Sequence, residues 1–138
     1  SEENELREFA EHVFDYVAIP AIYRDRRPSE VPYGLRRLTA IAAALMGKPD
    51  FLLLDEPAAG LVEEEIERLE ALLRQLLDNG IGIVLVEHHL SLVMALANHV
   101  TVLDSGSVIA EGSPEDVAAN PLVQQVYLGK EWATDDNV

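Results

Sequence analysis

The chain has 138 residues, the size of one ordinary domain, and its 49% hydrophobic and 25% charged residues are a globular balance rather than a disordered one. It has no Cys, which excludes disulfides and thiolate zinc sites, and its net charge of −15 argues against nucleic acid as a partner, because phosphate binding needs Lys and Arg. No apolar run approaches the length of a membrane span, and no signal-peptide pattern is visible. The chain opens on Ser1 and not Met, so residues are expected before it.

The spacing of Leu6, Phe9, Val13, Phe14 and Val17 predicts a helix over residues 2–18. Residues 19–33 carry three prolines and several charges and read as a connecting loop. A second helix is expected from about Gly34 to Met46, with Leu35, Leu38, Ile41, Ala42 and Leu45 as its apolar stripe and Gly47-Lys48-Pro49 as its stop. Phe51 to Asp55 reads as a buried parallel strand. A long amphipathic helix over about 62–78 follows, with Glu63, Glu64 and Glu65 at the positive end of its dipole and Asn79-Gly80 as its end. Ile81 to Val86 reads as a second buried strand, and a helix is expected near 90–98.

Asp104-Ser105-Gly106 separates two β-rich runs, 99–103 and 107–110, as a short hairpin loop does. Ser113-Pro114-Glu115-Asp116 has the form of a helix start, another short helix is expected near Pro121, and Ala133 to Val138 reads as a loose tail. Strand, helix, strand, helix, strand predicts an α/β fold with βαβ units, a largely parallel sheet, and an appended hairpin and terminal helices.

Two strands end in groups that do chemistry. Asp55 and Glu56 close the first, and their adjacency suggests side chains on opposite faces with different tasks. His88 closes the second, where its neutral ring suits a hydrogen bond to a phosphate oxygen. Neighbouring parallel strands bring such ends to one rim, where open α/β sheets bind ligands. His89 is the weaker histidine by spacing, and Glu87 reads as structural. Val31-Pro32-Tyr33-Gly34 heads the second helix, whose free N–H groups form a ready anion site. Arg24, Arg26, Arg27, Arg36 and Arg37 make up five of the ten basic residues. They read either as a solvated face balancing the acidic N-terminal residues or as a patch near a polyphosphate or a partner subunit.

Together these segments resemble the ATP-binding subunits of ABC transporters. Val31-Pro32-Tyr33-Gly34-Leu35 stands where that family has its signature loop, and Phe51 to Glu56 is similar to Walker B. Ala59-Gly60-Leu61-Val62 stands at the D-loop, Val86-Glu87-His88 at the switch histidine, and Val102 to Pro114 resembles the stretch that follows. The Pro-Tyr-Gly signature, Asp55-Glu56-Pro57-Ala58-Ala59-Gly60-Leu61 and the closing Tyr127-Leu128-Gly129 are most similar to the branched-chain amino acid group.

The resemblance implies ATP and Mg2+ as cofactors. Asp55 would serve the magnesium ion, directly or through water, and Glu56 would act as catalytic base. His88 would sense the γ-phosphate, and residues 31–35 would hold the ATP of a partner subunit. It also implies a homo- or heterodimer of ATPase subunits, transmembrane permease subunits as partners, and a place at the cytoplasmic face of the membrane. Pro32, Leu35 and Val62 stand where the family commonly has Ser, Gln and Asp or Asn, and His89 stands where Asp is usual.

A phosphate loop of the form G-x-x-x-x-G-K-[ST] is absent from the 138 residues, since neither Gly47-Lys48 nor Gly129-Lys130 has the required neighbours. The expectation is therefore a partial P-loop NTPase-type domain without its phosphate-loop strand. Residues 1–47 would form part of the helical subdomain, and 48–138 the C-terminal part of the catalytic core. A chain of this kind is expected to bind ATP weakly or not at all, and to self-associate through exposed strand edges. The rival readings are a non-catalytic assembly module of ABC type and a phospho-acceptor receiver-like domain built on Asp55.

Overall fold

The computed structural model describes residues 1–128. The chain divides into two compact units, Ser1–His88 and His89–Val138. The expected tail from Ala133, Gly129 of the closing triplet and Gly129-Lys130 lie outside the described residues.

The first unit opens with α1 (Glu2–Tyr16), which stops before its expected end; Ala18 beyond it has a left-handed backbone, with φ of +60°. The proline-rich connection holds a short helix, α2 (Ala21–Arg24), and a 3-10 turn at Pro28–Glu30. Arg24 organises this connection. Its guanidinium donates to the Ile19 carbonyl, pairs with Asp15 and Glu11 of α1, and lies 5.7 Å from the Phe14 ring centre. Hydrogen bonds to Asp15 and then Glu11 raise its pKa above the ordinary arginine value. Arg26 pairs with Glu30. Two of the five clustered arginines thus balance nearby carboxylates.

α3 (Tyr33–Leu45) buries Leu38, Ile41, Ala42 and Leu45 and packs against α1. β1 (Phe51–Asp55) and β2 (Gly82–Val86) form a parallel pair with α4 (Glu63–Asp78) as the crossover between them. The register pairs Phe51 with Gly82, Leu53 with Val84 and Asp55 with Val86. A Cβ at Gly82 would overlap the Phe51 ring, so the missing side chain lets the aromatic lie across the strand. α4 packs along β2 and buries Ile66, Leu69, Leu72, Leu73 and Leu76; Leu77, which the 3.6-residue period puts on the same face, is half-buried. Asn79 at its end donates to the Tyr16 hydroxyl and ties α4 to α1.

Burial corrects one expectation. Both strands were expected to be buried on both sides, yet Phe51, Leu53, Val84 and Val86 are exposed, Leu53 by 78%. Strand alternation and register put these four on one face, opposite Leu52 and Leu54. A two-residue period cannot tell a covered face from a bare one when both are apolar.

The second unit holds α5 (Leu90–Leu96), the strands β3 (Val100–Asp104) and β4 (Ser107–Gly112), α6 (Pro114–Ala118) and α7 (Pro121–Val123), with a wide helical turn over Gln124–Leu128. β3 and β4 form the expected hairpin. Its loop residues Ser105 and Gly106 have φ of +49° and +81°, the pattern of a primed turn that matches strand twist. The parallel ladder has two strands among the described residues; β3 pairs with β4 alone. Antiparallel pairing across a two-residue loop closes locally, which the strand–helix alternation alone did not reveal. Ser113 caps α6 through the Asp116 N–H, and Asn120 caps α7 through the Leu122 N–H. Val100, Val102, Val117 and Val123 form the core of this unit.

Leu69 is fully buried, so Leu69→Ala is expected to cost about 3 kcal/mol in denaturant unfolding. Leu53→Ala on the bare face is expected to cost under about 0.5 kcal/mol by the same measurement.

Candidate functional site

The parallel register decides what meets at the carboxyl ends of β1 and β2. Asp55 is opposite Val86, so the residues that follow each strand emerge side by side. The Glu56 N–H donates to the Val86 carbonyl at 2.8 Å, extending the ladder by one bond. His88 Nδ1 then lies 3.6 Å from Glu56 Oε1, with both side chains more than half exposed. At that distance a protonated imidazole and the carboxylate form an ion pair.

Glu56 has φ of +47°, a left-handed conformation that is uncommon for a residue with a Cβ. Strand alternation therefore ends at Asp55, and this turn, rather than the pleat, sets the direction of Glu56. Residues held in such sparsely populated conformations need support from their surroundings. Here the support is the Glu56–Val86 bond together with the Ala59 N–H donating to the Glu56 carbonyl at 3.1 Å. Asp55 is exposed at the strand end, and among the described residues no hydrogen bond or ion pair engages its carboxylate.

The loop from Pro57 to Val62 is held from two sides. Glu87 Oε1 accepts the Ala58 N–H at 2.8 Å, and Glu87 Oε2 accepts the His88 N–H at 3.1 Å. From the other side the Tyr33 hydroxyl donates to the Ala59 carbonyl at 3.1 Å. Gly60 has φ of +75°, and a Cβ there would come within 3.2 Å of the Tyr33 ring. Val62 has no side-chain oxygen to cap α4, and Glu65 reaches back instead to accept the Val62 N–H at 3.1 Å.

The same Glu65 explains Gly34. The backbone of Gly34 is ordinary helix, yet a Cβ would collide with the Glu65 carboxylate. Residues 31–35 bring Tyr33, Gly34 and Leu35 to the first turn of α3, where Pro32 supplies no side-chain cap to its N–H groups. Arg36 and Arg37 both lie over the Tyr33 ring, at 5.4 and 5.2 Å, and Arg37 also donates to its hydroxyl. His89 opens the second unit. It precedes α5, and its Nδ1 lies 3.0 Å from the Ser91 hydroxyl.

The structure thus brings Asp55, Glu56 and His88 to one rim and joins the 59–62 loop to the start of α3. Sequence reasoning did not find the two ties, Tyr33 to Ala59 and Glu87 to Ala58. Each spans more than 25 residues of chain, and no local pattern announces it.

Comparison with known proteins follows this geometry. Solved ATP-binding cassettes share the fold. One from an ABC transporter in its ADP conformation superposes with a TM-score of 0.80 at 29% identity, covering 91% of this chain and 50% of that one. A cassette of Clostridium perfringens, part of a transporter complex, gives 0.75 at 28% identity, covering 94% of this chain and 53% of that one. The fold is accordingly a partial ATP-binding cassette of the ABC type.

Within that class the sequence resembles the branched-chain amino acid group. The family model described as "Branched-chain amino acid ATP-binding cassette transporter" matches residues 107–133. The high-affinity branched-chain amino acid transport ATP-binding protein BraF of Pseudomonas aeruginosa is 36% identical over 129 residues, 93% of this chain and 50% of that protein. LivG of Escherichia coli, of the same description, is 37% identical over 109 residues, 78% of this chain and 43% of that protein. The chain spans about half the length of the curated relatives it matches.

Gly60→Ala is expected to destabilise the chain by about 1–2 kcal/mol, because a Cβ is disfavoured at this left-handed backbone. A lowered midpoint in urea with an unchanged slope is the expected readout.

Proposed function

We propose that the chain is the C-terminal part of the ATP-hydrolysing subunit of an ABC importer for branched-chain amino acids. The carrying observation is the Glu56–His88 contact of 3.6 Å at the end of a parallel strand pair that also presents Asp55. In this reading Glu56 takes the proton of the attacking water, and His88 donates a hydrogen bond to the terminal phosphate. The uncapped first turn of α3, at residues 31–35, presents N–H donors to the nucleotide of a partner subunit. Ala59 to Val62 form the loop that meets that partner. Residues 1–47 belong to the helical subdomain and 48–138 to the catalytic core.

The residues present fit one side of a Mg-ATP site. Among the described residues no group of three or more His, Asp or Glu gathers to hold a metal ion. The unengaged Asp55 carboxylate nevertheless suits a magnesium ion whose other ligands are water and phosphate oxygens. Bound there, magnesium would neutralise charge on the phosphates. No phosphate loop occurs in the 138 residues, so the grip on the phosphates must come from another polypeptide segment. The chain alone should therefore bind Mg-ATP weakly or not at all, and calorimetry that found micromolar affinity would contradict this.

The partners in this reading are a second ATPase subunit and membrane-embedded permease subunits, with the protein at the cytoplasmic face of the membrane. Among the described residues no helix is long and apolar enough to cross a bilayer. The chain by itself is proposed to self-associate. The apolar face of Phe51, Leu53, Val84 and Val86 is exposed, and a parallel pair of two strands is normally covered on both faces. A monomer in light scattering at high concentration would remove that part of the proposal. The absence of a phosphate loop also favours a second reading, a non-catalytic module that only docks partners. The described residues before Phe51 are helix and loop, which leaves a receiver-like domain without its first strand.

Mixing the chain with the phosphate-loop-bearing half of a relative such as BraF separates the two principal readings. ATP hydrolysis on mixing, abolished by Glu56→Gln with nucleotide binding retained, supports the ATPase. A folded complex without hydrolysis supports the docking module.

A further inference from the structure

The residues assigned above account for the reacting corner and for the helix start, and leave open what connects them. Tyr33 lies within the 31–35 segment and Glu87 just before His88, but neither side chain has been given a task. Tyr33 sits at the start of α3 and reaches the Ala59 carbonyl; Glu87 sits just beyond β2 and holds the Ala58 N–H. Ala58 and Ala59 are neighbouring residues of one loop, and the two bonds engage the peptide groups on either side of the Ala58–Ala59 peptide. The second Glu87 oxygen accepts the His88 N–H, so this carboxylate touches both the loop and the backbone that carries the histidine. Glu56, whose carbonyl accepts the Ala59 N–H, completes the connection.

We propose that Tyr33 and Glu87 are positioning residues that clamp the 57–62 loop, so that a displacement of the start of α3 is felt at the Glu56–His88 pair. The proposal rests on the reading of that pair as the reacting corner. Three features favour a mechanical link over incidental packing. The Tyr33 ring is fixed by Arg36 and Arg37 over it and by the Arg37 donor on its hydroxyl, so the donor to Ala59 is pre-aimed. Gly60 has a left-handed backbone beside the ring, and a Cβ there would press on it at 3.2 Å. Glu56 occupies a strained conformation that the loop bonds help to hold, so a shift in the loop changes where its carboxylate lies. A loop bonded at two neighbouring residues carries displacement between its partners only if the two bonds are energetically coupled, and that is measurable.

The test uses the chain itself, without nucleotide, by amide hydrogen exchange and NMR. Tyr33→Phe removes one hydroxyl and keeps the ring. Exchange at Ala58, Ala59 and Leu61 should rise about fivefold, the loss of one net hydrogen bond, while the interior of α4 from Leu69 to Leu76 stays protected. The decisive signal is remote: the His88 ring resonances should shift in Tyr33→Phe, although Tyr33 makes no bond to His88. Glu87→Ala should shift the Tyr33 ring resonances, and Glu87→Gln, which keeps an acceptor for Ala58, should restore them. Gly60→Ala presses on the same contact from the other side and should move the same His88 resonances. Unchanged His88 resonances in both Tyr33→Phe and Gly60→Ala, with α4 still protected, would overturn the proposal. Because no nucleotide is present, such a failure would leave the catalytic reading of Glu56 and His88 standing, and a failure of that reading would not alter these shifts.

Discussion

The in-register parallel pairing of β1 with β2 is the constraint on which the site depends. A slip of one residue would move each apolar side chain to the other face of the pair. It would also separate the Glu56 N–H from the Val86 carbonyl, the bond that carries the ladder one step past the strand end. The register is fixed by α4, whose buried leucines pack along β2, and by the Phe51 ring lying over Gly82. The energy that holds the site is therefore mostly hydrophobic burial some distance from it. The polar groups at the rim stay exposed and available.

That arrangement has a consequence for the loop between β1 and α4. The loop starts from a strained residue, Glu56, and contains a left-handed glycine, Gly60. Such backbone persists only when neighbouring groups over-determine it. Glu87, Tyr33 and Glu65 each supply one hydrogen bond to consecutive parts of this segment, at Ala58, Ala59 and Val62. Glu65 accepts the Val62 N–H, and its carboxylate lies where a Cβ on Gly34 would be.

Much of this was legible in the residues because the relevant signals are local. The α4 stripe, the cap at Ser113 and the hairpin at Ser105-Gly106 each depend on a few neighbouring side chains. The meeting of Glu56 with His88 was legible for a different reason: two apolar runs joined by one helix imply parallel neighbours, and parallel neighbours end at one rim. Pairing across distance was not legible. The hairpin loop did not say whether Val100–Asp104 also joins the parallel pair, and nothing in Leu53 or Val84 says that their face is bare. The residues themselves mark Tyr33 as part of the helix-start anion site and Glu87 as structural, and their ties to the loop stay hidden because the partners are backbone groups far along the chain.

The central claim is that the strand register sets Glu56 and His88 side by side at the open end of the sheet. Proton–proton cross-relaxation in the isotope-labelled chain tests this most directly. The account predicts contacts between the His88 ring and the Glu56 side chain, accompanied by cross-strand contacts between Asp55 and Val86. Cross-strand contacts for Leu53 and Val84 without any between His88 and Glu56 would contradict it.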